Sequence, residues 1–116
     1  MRVFTGENGN EYRILFSFNA LVNFEEATGL TIEKVGNALL SPKTLRQLFR
    51  FALESGEGRK YSEKHAGEVI NDILKVTTNY DAFALELYEE FNSAFAPKEE
   101  MSEAVTGNES APVGMI

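Results

Sequence analysis

The residue types that could do chemistry are few in this chain of 116 residues. Ser62, His65 and Asp72 come nearest to a catalytic set, and His65 is the only histidine. A Ser–His–Asp triad needs all three groups to converge beside an oxyanion hole, and one helix cannot wrap its own side chains into that arrangement. We therefore expect Ser62 to cap a helix and His65 to lie on its surface. Replacing His65 with alanine should leave the cellular role intact.

Metal and cofactor chemistry has equally little support in the sequence. The chain has no cysteine and one histidine, so a zinc site lacks ligands. Neighbouring glutamates such as Glu25-Glu26 and Glu89-Glu90 point about 100° apart on a helix and do not converge. The glycine-containing loop GEGRKY, residues 56–61, matches neither GxGxxG nor GK[ST]. The sequence predicts no enzyme, no cofactor and no metal site.

Composition narrows the possible partners. Hydrophobic residues make up 43% of the chain, which is enough for one packed core, and the formal net charge is −7. An acidic protein is repelled by phosphate backbones, so nucleic-acid binding is disfavoured. The N-terminus turns polar at once, unlike a signal peptide, and no apolar run approaches the ~20 residues of a membrane span. The absence of cysteine fits a reducing cytoplasm.

Residues 2–16 are predicted to form a β-hairpin. Asn8-Gly9 favours a two-residue type I′ turn, because both residues tolerate positive φ. That turn would set Thr5 opposite Tyr12 and Val3 opposite Ile14. The face expected to pack on the helices then comprises Val3, Thr5, Tyr12, Ile14 and Phe16. Phe4 and Leu15 would lie on the other face with Arg2 and Arg13.

Helical segments follow, each with recognisable start and stop signals. They are predicted at Phe18–Thr28 between Ser17 and Gly29, at Thr31–Leu39, at Pro42–Ser55 before Gly56, from Ser62 to about Thr77, and at Tyr80–Ala96 after Asn79. Residues 97–116 are rich in Glu, Ser, Gly and Pro and are predicted to be a disordered acidic tail. The fold predicted is mainly α: one domain, residues 1–96, with the hairpin packed on four to five helices.

Two surfaces have more than one interpretation. Lys43, Arg46 and Arg50 line the polar side of the third helix, either as an ordinary solvated face or as a docking patch for an acidic partner or a neighbouring subunit. The last helix carries a long aromatic stripe, including Tyr88 and Phe91, whose spacing is typical of a core. Any apolar surface that a small core cannot absorb would favour a partner or self-association.

The middle of the chain resembles a known family. The stretch ALVNFEEATGLTIEKV, residues 20–35, a serine-proline helix start and LRQLFRFAL, residues 45–53, are similar to the tail assembly chaperones of long-tailed, siphovirus-like bacteriophages and to gene-transfer-agent tail proteins. The resemblance covers about residues 2–96. The residues that carry it are Ala20-Leu21, Phe24-Glu25, Thr28-Gly29, Ile32, Leu45, Leu48-Phe49 and Ala52-Leu53.

This resemblance implies a function without catalytic residues. Such chaperones act in the host bacterial cytoplasm and are absent from the mature virion. They bind the tape measure protein, keep its long helical segments soluble and help recruit tail tube subunits. The family often exists in two lengths through a programmed frameshift, and this chain looks like the shorter form. Alternatives are a small acidic helical adaptor or inhibitor, or a minor tail component that stays in the particle.

The predicted partner-binding residues are Phe24, Lys43, Arg46, Phe49, Arg50 and Phe51. An apolar groove is expected beside one of the three phenylalanines, and Phe51 lies off the main apolar stripe of its helix. The alternative interpretation of Phe51 is that it packs under the hairpin. The three cations would orient the partner rather than supply affinity.

Overall fold

A two-stranded hairpin and four helices make up the part of the chain that the structure describes, residues 1–31 and 41–95 of a computed structural model. The elements are β1 (Arg2–Thr5), β2 (Glu11–Ile14), α1 (Phe18–Thr28), α2 (Pro42–Glu57), α3 (Glu63–Leu74) and α4 (Tyr80–Phe95). The predicted fold class, mainly helical with an N-terminal antiparallel hairpin, is confirmed. The short helix expected after Thr31 and the tail expected over 97–116 lie outside the described residues.

Polar side chains cap the starts of α1, α3 and α4 at the expected places, whereas Ser41 before α2 makes no side-chain capping bond. Ser17 Oγ accepts a hydrogen bond from Ala20 N at 3.1 Å, and Ser62 Oγ accepts one from His65 N at 3.0 Å. Asn79 Oδ1 accepts one from Ala82 N at 2.8 Å. Each bond satisfies a donor that has no partner within its own helix. Gly29 ends α1 at φ 75°, a left-handed conformation that glycine adopts without steric cost.

The hairpin register differs from the prediction by one residue. Val3 pairs with Arg13 and Phe4 pairs with Tyr12. Gly6 and Asn10 are joined by a backbone hydrogen bond of 2.9 Å, which leaves a three-residue loop with Gly9 at φ 81°. Such a loop combines a turn with a left-handed glycine. The expectation of a two-residue turn at Asn8-Gly9 is therefore wrong.

This shift reverses the face of β1 that is buried, because side chains alternate along a strand. Phe4 is buried and Val3 is exposed, which is the opposite of the prediction. On β2 the predicted inward positions are correct: Ile14 is fully buried, and Phe16, just beyond the strand, is buried too. The docked face thus combines Phe4 with Tyr12 and Ile14.

Helix α2 is the centre of the fold and contacts α1, β2 and α3. Its inward face buries Leu45, Leu48, Phe49, Ala52 and Leu53. Three rings meet in the core: Phe49 lies 6.1 Å from Phe4 and 5.7 Å from Phe83 between centroids, and Phe4 lies 5.3 Å from Phe83. These contacts join the hairpin, the central helix and α4.

Helix α2 runs past Gly56, the residue predicted to end it, and stops at Gly58, which has φ 74°. Residue 56 therefore lies inside the helix, and a glycine is needed there because the backbone of β2 passes close to it. A Cβ at residue 56 would lie 2.8 Å from Ile14 Cα, in contact with backbone rather than with a movable side chain. Leu15 N donates a 2.9 Å hydrogen bond to Ala52 O, one turn before Gly56, so this edge of β2 is covered by the helix.

The tip of the hairpin is held by Asp72 near the end of α3. Asp72 Oδ2 accepts a hydrogen bond from Tyr12 Oη at 2.7 Å, and Asp72 Oδ1 accepts one from Glu7 N at 3.0 Å. Bonds to a carboxylate are stronger than those between neutral groups. They fix the two-stranded unit, which would be marginal alone, on the helices.

Removing the Tyr12 hydroxyl should destabilise the protein, with a dependence on pH. Burial first, and then the hydrogen bond to Asp72, raise the pKa of Tyr12 above its usual 10.0. The neutral phenol is therefore favoured by folding, and its contribution is complete below pH ~10 and lost as the pH rises through the raised pKa. We expect Tyr12→Phe to cost about 0.5–1.5 kcal/mol near neutral pH. The difference in the free energy of unfolding between wild type and Tyr12→Phe should narrow above pH ~10.

Urea denaturation of both proteins at about pH 8 and about pH 11 measures this gap. Thr5→Val is a matched control, since Thr5 is exposed on the outer face of the hairpin. Its effect should not change with pH in this range. A constant gap between wild type and Tyr12→Phe would contradict the assigned hydrogen bond.

Candidate binding groove

Two of the six predicted partner-binding residues lie in the core. Phe24 and Phe49 have no exposed surface. The expectation that either ring borders an exposed apolar surface is wrong, because Phe24 on α1 and Phe49 on α2 both pack into the core. The surface positions that remain are Lys43, Arg46, Arg50 and Phe51.

The predicted basic stripe on α2 is largely engaged within the protein. Arg46 Nη2 donates to Glu63 Oε1 at 2.9 Å, and Arg50 Nε donates to the Tyr61 carbonyl at 2.7 Å. Glu63 Oε2 also accepts from Gln47 Nε2 at 3.1 Å, which accounts for a polar side chain that is only 8% exposed. Lys43 is exposed at the start of α2. The two arginines therefore join α2 to Glu63 at the start of α3.

Phe51 lies at the centre of an open groove between α1 and the end of α2. Its side chain is half-buried against the core. Two adjoining depressions, with volumes of about 530 and 560 Å³, share Asn23, Phe51, Glu54 and Lys60 as lining residues. We call this surface the Phe51 groove. Phe51 does not pack under the hairpin; its ring lines the groove between α2 and α1.

The walls of the Phe51 groove are set by helix periodicity. Asn19, Asn23 and Glu26 lie on one side of α1 at spacings of four and three residues, so they line it in a row. The opposite wall is α2 and the loop that follows Gly58. Ser55 Oγ donates to Ser17 Oγ at 2.8 Å and ties the two walls together at one end. Small residues on the walls, among them Ala20, keep the groove open.

Charges in the groove come mainly from the loop after α2. Arg59 and Lys60 are exposed and line the first depression with Glu54. The Glu54 carboxylate is already engaged, since it accepts a 2.8 Å bond from Tyr61 N and lies 3.7 Å from Arg50 Nε. The Arg59 guanidinium carbon lies 4.2 Å from the centre of the Tyr61 ring, a cation–π contact that holds it in place.

The contribution of Arg59 and Lys60 was missed by the sequence analysis, which considers residues 56–61 only as a glycine-containing loop without a phosphate-binding motif. The available signal was two adjacent cations directly after a glycine that can end a helix and before an aromatic residue. Burial raises the pKa of Tyr61, and Arg59 opposes that rise. Tyr61 is buried in the core, so it anchors the end of the loop that carries the exposed Arg59 and Lys60.

Ser62 and Asp72, two of the three residues nearest to a catalytic set, make hydrogen bonds that hold the fold together. Ser62 Oγ caps α3, and Asp72 binds the hairpin through Tyr12 and Glu7. His65 is exposed, with its ring 4.8 Å from that of Tyr61. In the described ranges, 1–31 and 41–95, no cluster of three or more His, Cys, Asp or Glu side chains could hold a metal ion. Over the same ranges, no helix is both long and apolar enough to cross a membrane.

Comparison of the chain with protein families, curated proteins and solved structures gives no match.

Proposed function

We propose that this protein is a tail assembly chaperone of a long-tailed bacteriophage, and that it binds the tape measure protein through the Phe51 groove. The observation that carries the proposal is a half-buried phenylalanine in an open groove between α1 and α2. Those two helices also contain most of the residues on which the family resemblance rests. Ala20, Leu21 and Leu53 among them are buried, so they position the groove walls rather than contact a partner.

The mode of action is binding without chemistry. An amphipathic helix of the tape measure protein places apolar side chains on Phe51, which removes them from water and from other copies of the same helix. The net charge of −7 keeps the complex soluble, because like charges oppose association between complexes. Bound in this state in the host cytoplasm, the partner is available to tail tube subunits during assembly. The chaperone then leaves before the virion is complete.

Co-expression with the tape measure protein encoded nearby tests the proposal. The partner should be more soluble with this chain than without it, and Phe51→Ser should reduce that gain. An aromatic anchor at the centre of an interface contributes more than about 1 kcal/mol, so binding should weaken about fivefold or more. The soluble fraction and the dissociation constant for a purified tape measure fragment measure the effect.

Phe18→Ser is the matched control. Phe18 is 77% exposed on α1 and is not among the lining residues of the groove, so the same chemical change there should leave solubility unaffected. Circular dichroism must show both variants folded. A partner that is equally soluble with and without the wild-type chain would contradict the chaperone function. An unfolded Phe51→Ser would mean that this ring belongs to the core.

Mass spectrometry of purified virions separates this function from that of a minor tail component. The chain should be detected in lysates of phage-producing cells and be absent from particles. Its presence in particles at a fixed ratio to tail tube subunits would favour the structural alternative.

A further inference from the structure

Two exposed cations from the loop after α2 line the Phe51 groove. The first depression, beside the N-terminal half of α1, has Arg59 and Lys60 on its wall. The second, beside the C-terminal half of α1, has Glu26, and Lys60 and Arg50 line it as well. Glu54 lies between them and is engaged by Arg50 and by the Tyr61 amide. A ligand lying along α1 therefore meets Arg59 at the first end, Lys60 beside both depressions and the Glu26 carboxylate at the second end.

The two cations at the first end are available to a partner. No ion pair joins Arg59 or Lys60 to a carboxylate anywhere in residues 1–31 and 41–95. This differs from Arg46 and Arg50, which have carboxylate or carbonyl partners within the fold. In a protein of net charge −7, two adjacent exposed cations beside an aromatic side chain are a local exception.

The groove has the length of a short helical segment. Helix α1 has 11 residues, so the wall it provides is about 16 Å long, or three turns of a partner helix. Asn19 and Asn23 on that wall offer amide groups that can hydrogen-bond polar side chains at the edge of such a helix. Phe51 lies where the two depressions meet and can receive an apolar side chain.

We propose that the Phe51 groove recognises a three-turn amphipathic helix whose apolar stripe is flanked by carboxylates, with the apolar side chains on Phe51 and the carboxylates on Arg59 and Lys60. The identity of the protein that supplies this helix rests on the proposed chaperone function. The chemistry of the helix rests on the groove itself. The charges select and orient the segment, while the apolar contact supplies most of the affinity.

Two synthetic three-turn peptides with the same leucine and alanine stripe test the proposal, one flanked by glutamate and the other by lysine. Fluorescence anisotropy with the full chain should give tighter binding of the glutamate peptide. The double variant Arg59→Glu/Lys60→Glu should weaken it about tenfold or more, since like charges then face each other. Phe51→Ser should weaken both peptides, and added salt should reduce the preference for glutamate.

Lys64→Glu/Lys75→Glu is the matched control, because it changes the net charge equally at two exposed lysines that line neither depression. It should change the affinity for the glutamate peptide less than about twofold. An equal loss in this control would assign the effect to overall charge and overturn the proposal. Tighter binding of the lysine peptide would overturn it as well.

The result separates this inference from the chaperone function when the same variants are co-expressed with the tape measure protein. If Arg59→Glu/Lys60→Glu is folded and still keeps the tape measure protein soluble, the charged groove is not the contact and the inference fails while the function stands. If the glutamate peptide binds as expected but the wild-type chain does not solubilise the tape measure protein, the function fails and the groove stands. Concentration-dependent dimerisation that Phe51→Ser abolishes would instead make a second copy the occupant and overturn the inference.

Discussion

Replacing Phe49 with alanine should lower the free energy of unfolding by about 3–5 kcal/mol, the typical cost of emptying a fully buried phenylalanine site. Phe49 has no exposed surface and contacts both Phe4 and Phe83. The space does not close by collapse, because β1 and α4 supply its walls and each is held by other contacts. Urea denaturation followed by circular dichroism measures the loss.

Phe18→Ala removes the same atoms from a ring that is 77% exposed, and it should change stability by no more than about 0.5 kcal/mol. If Phe49→Ala does not fold, Phe49→Leu retains much of the volume and should show a smaller loss that can be measured. A loss below about 1 kcal/mol for Phe49→Ala would place the ring outside the core.

The second large effect is expected at Gly56, where alanine should destabilise the protein although the residue lies inside a helix. On helix propensity alone, glycine to alanine would gain about 1 kcal/mol. The new Cβ would instead meet the backbone of Arg13 and Ile14, with a distance of 2.8 Å to Ile14 Cα. Overpacking of this kind costs about 1–3 kcal/mol. Since a backbone cannot rotate away as a side chain can, we expect a cost near the upper end of this range and a net loss of about 2 kcal/mol.

Gly67→Ala provides the opposite case in the same protein. Gly67 lies inside α3, and the nearest atom to a Cβ there is Arg46 Cδ at 3.6 Å, an ordinary contact. This change should stabilise the protein by about 0.5–1 kcal/mol. Thermal denaturation of both variants therefore should show midpoints shifted in opposite directions. Equal shifts would mean that β2 does not lie against α2 as described.

Local signals were enough to predict where the described helices start. Ser17, Ser62 and Asn79 are side chains that compete for backbone donors, and each caps the helix that follows it. The apolar spacing of α2 likewise predicted its buried face, from Leu45 to Leu53. These features depend on residues within one or two helical turns of each other, so a short stretch of sequence is enough to predict them.

The errors arose where distant parts of the chain decide between local options. Gly56 and Gly58 were both able to end α2, and the passage of β2 against Gly56 left Gly58 as the end. The hairpin had two possible turns. Only the register of the three-residue loop places Phe4 on the face that packs against Phe83. Arg59 and Lys60 line the groove because Gly58 turns the loop toward α1. No spacing along the sequence indicates that turn.

The contact between Phe4 and Phe83 has a consequence for synthesis on the ribosome. The first strand leaves the ribosome long before α4, since the chain is made at about 5–20 residues per second. During that interval the rings of Phe4 and Phe16 lack Phe83 and Phe91, which cover them in the finished fold. Native docking of the hairpin therefore has to wait until α4 has left the ribosome. Nascent chains stalled before α4 emerges should be cleaved readily by protease within the hairpin.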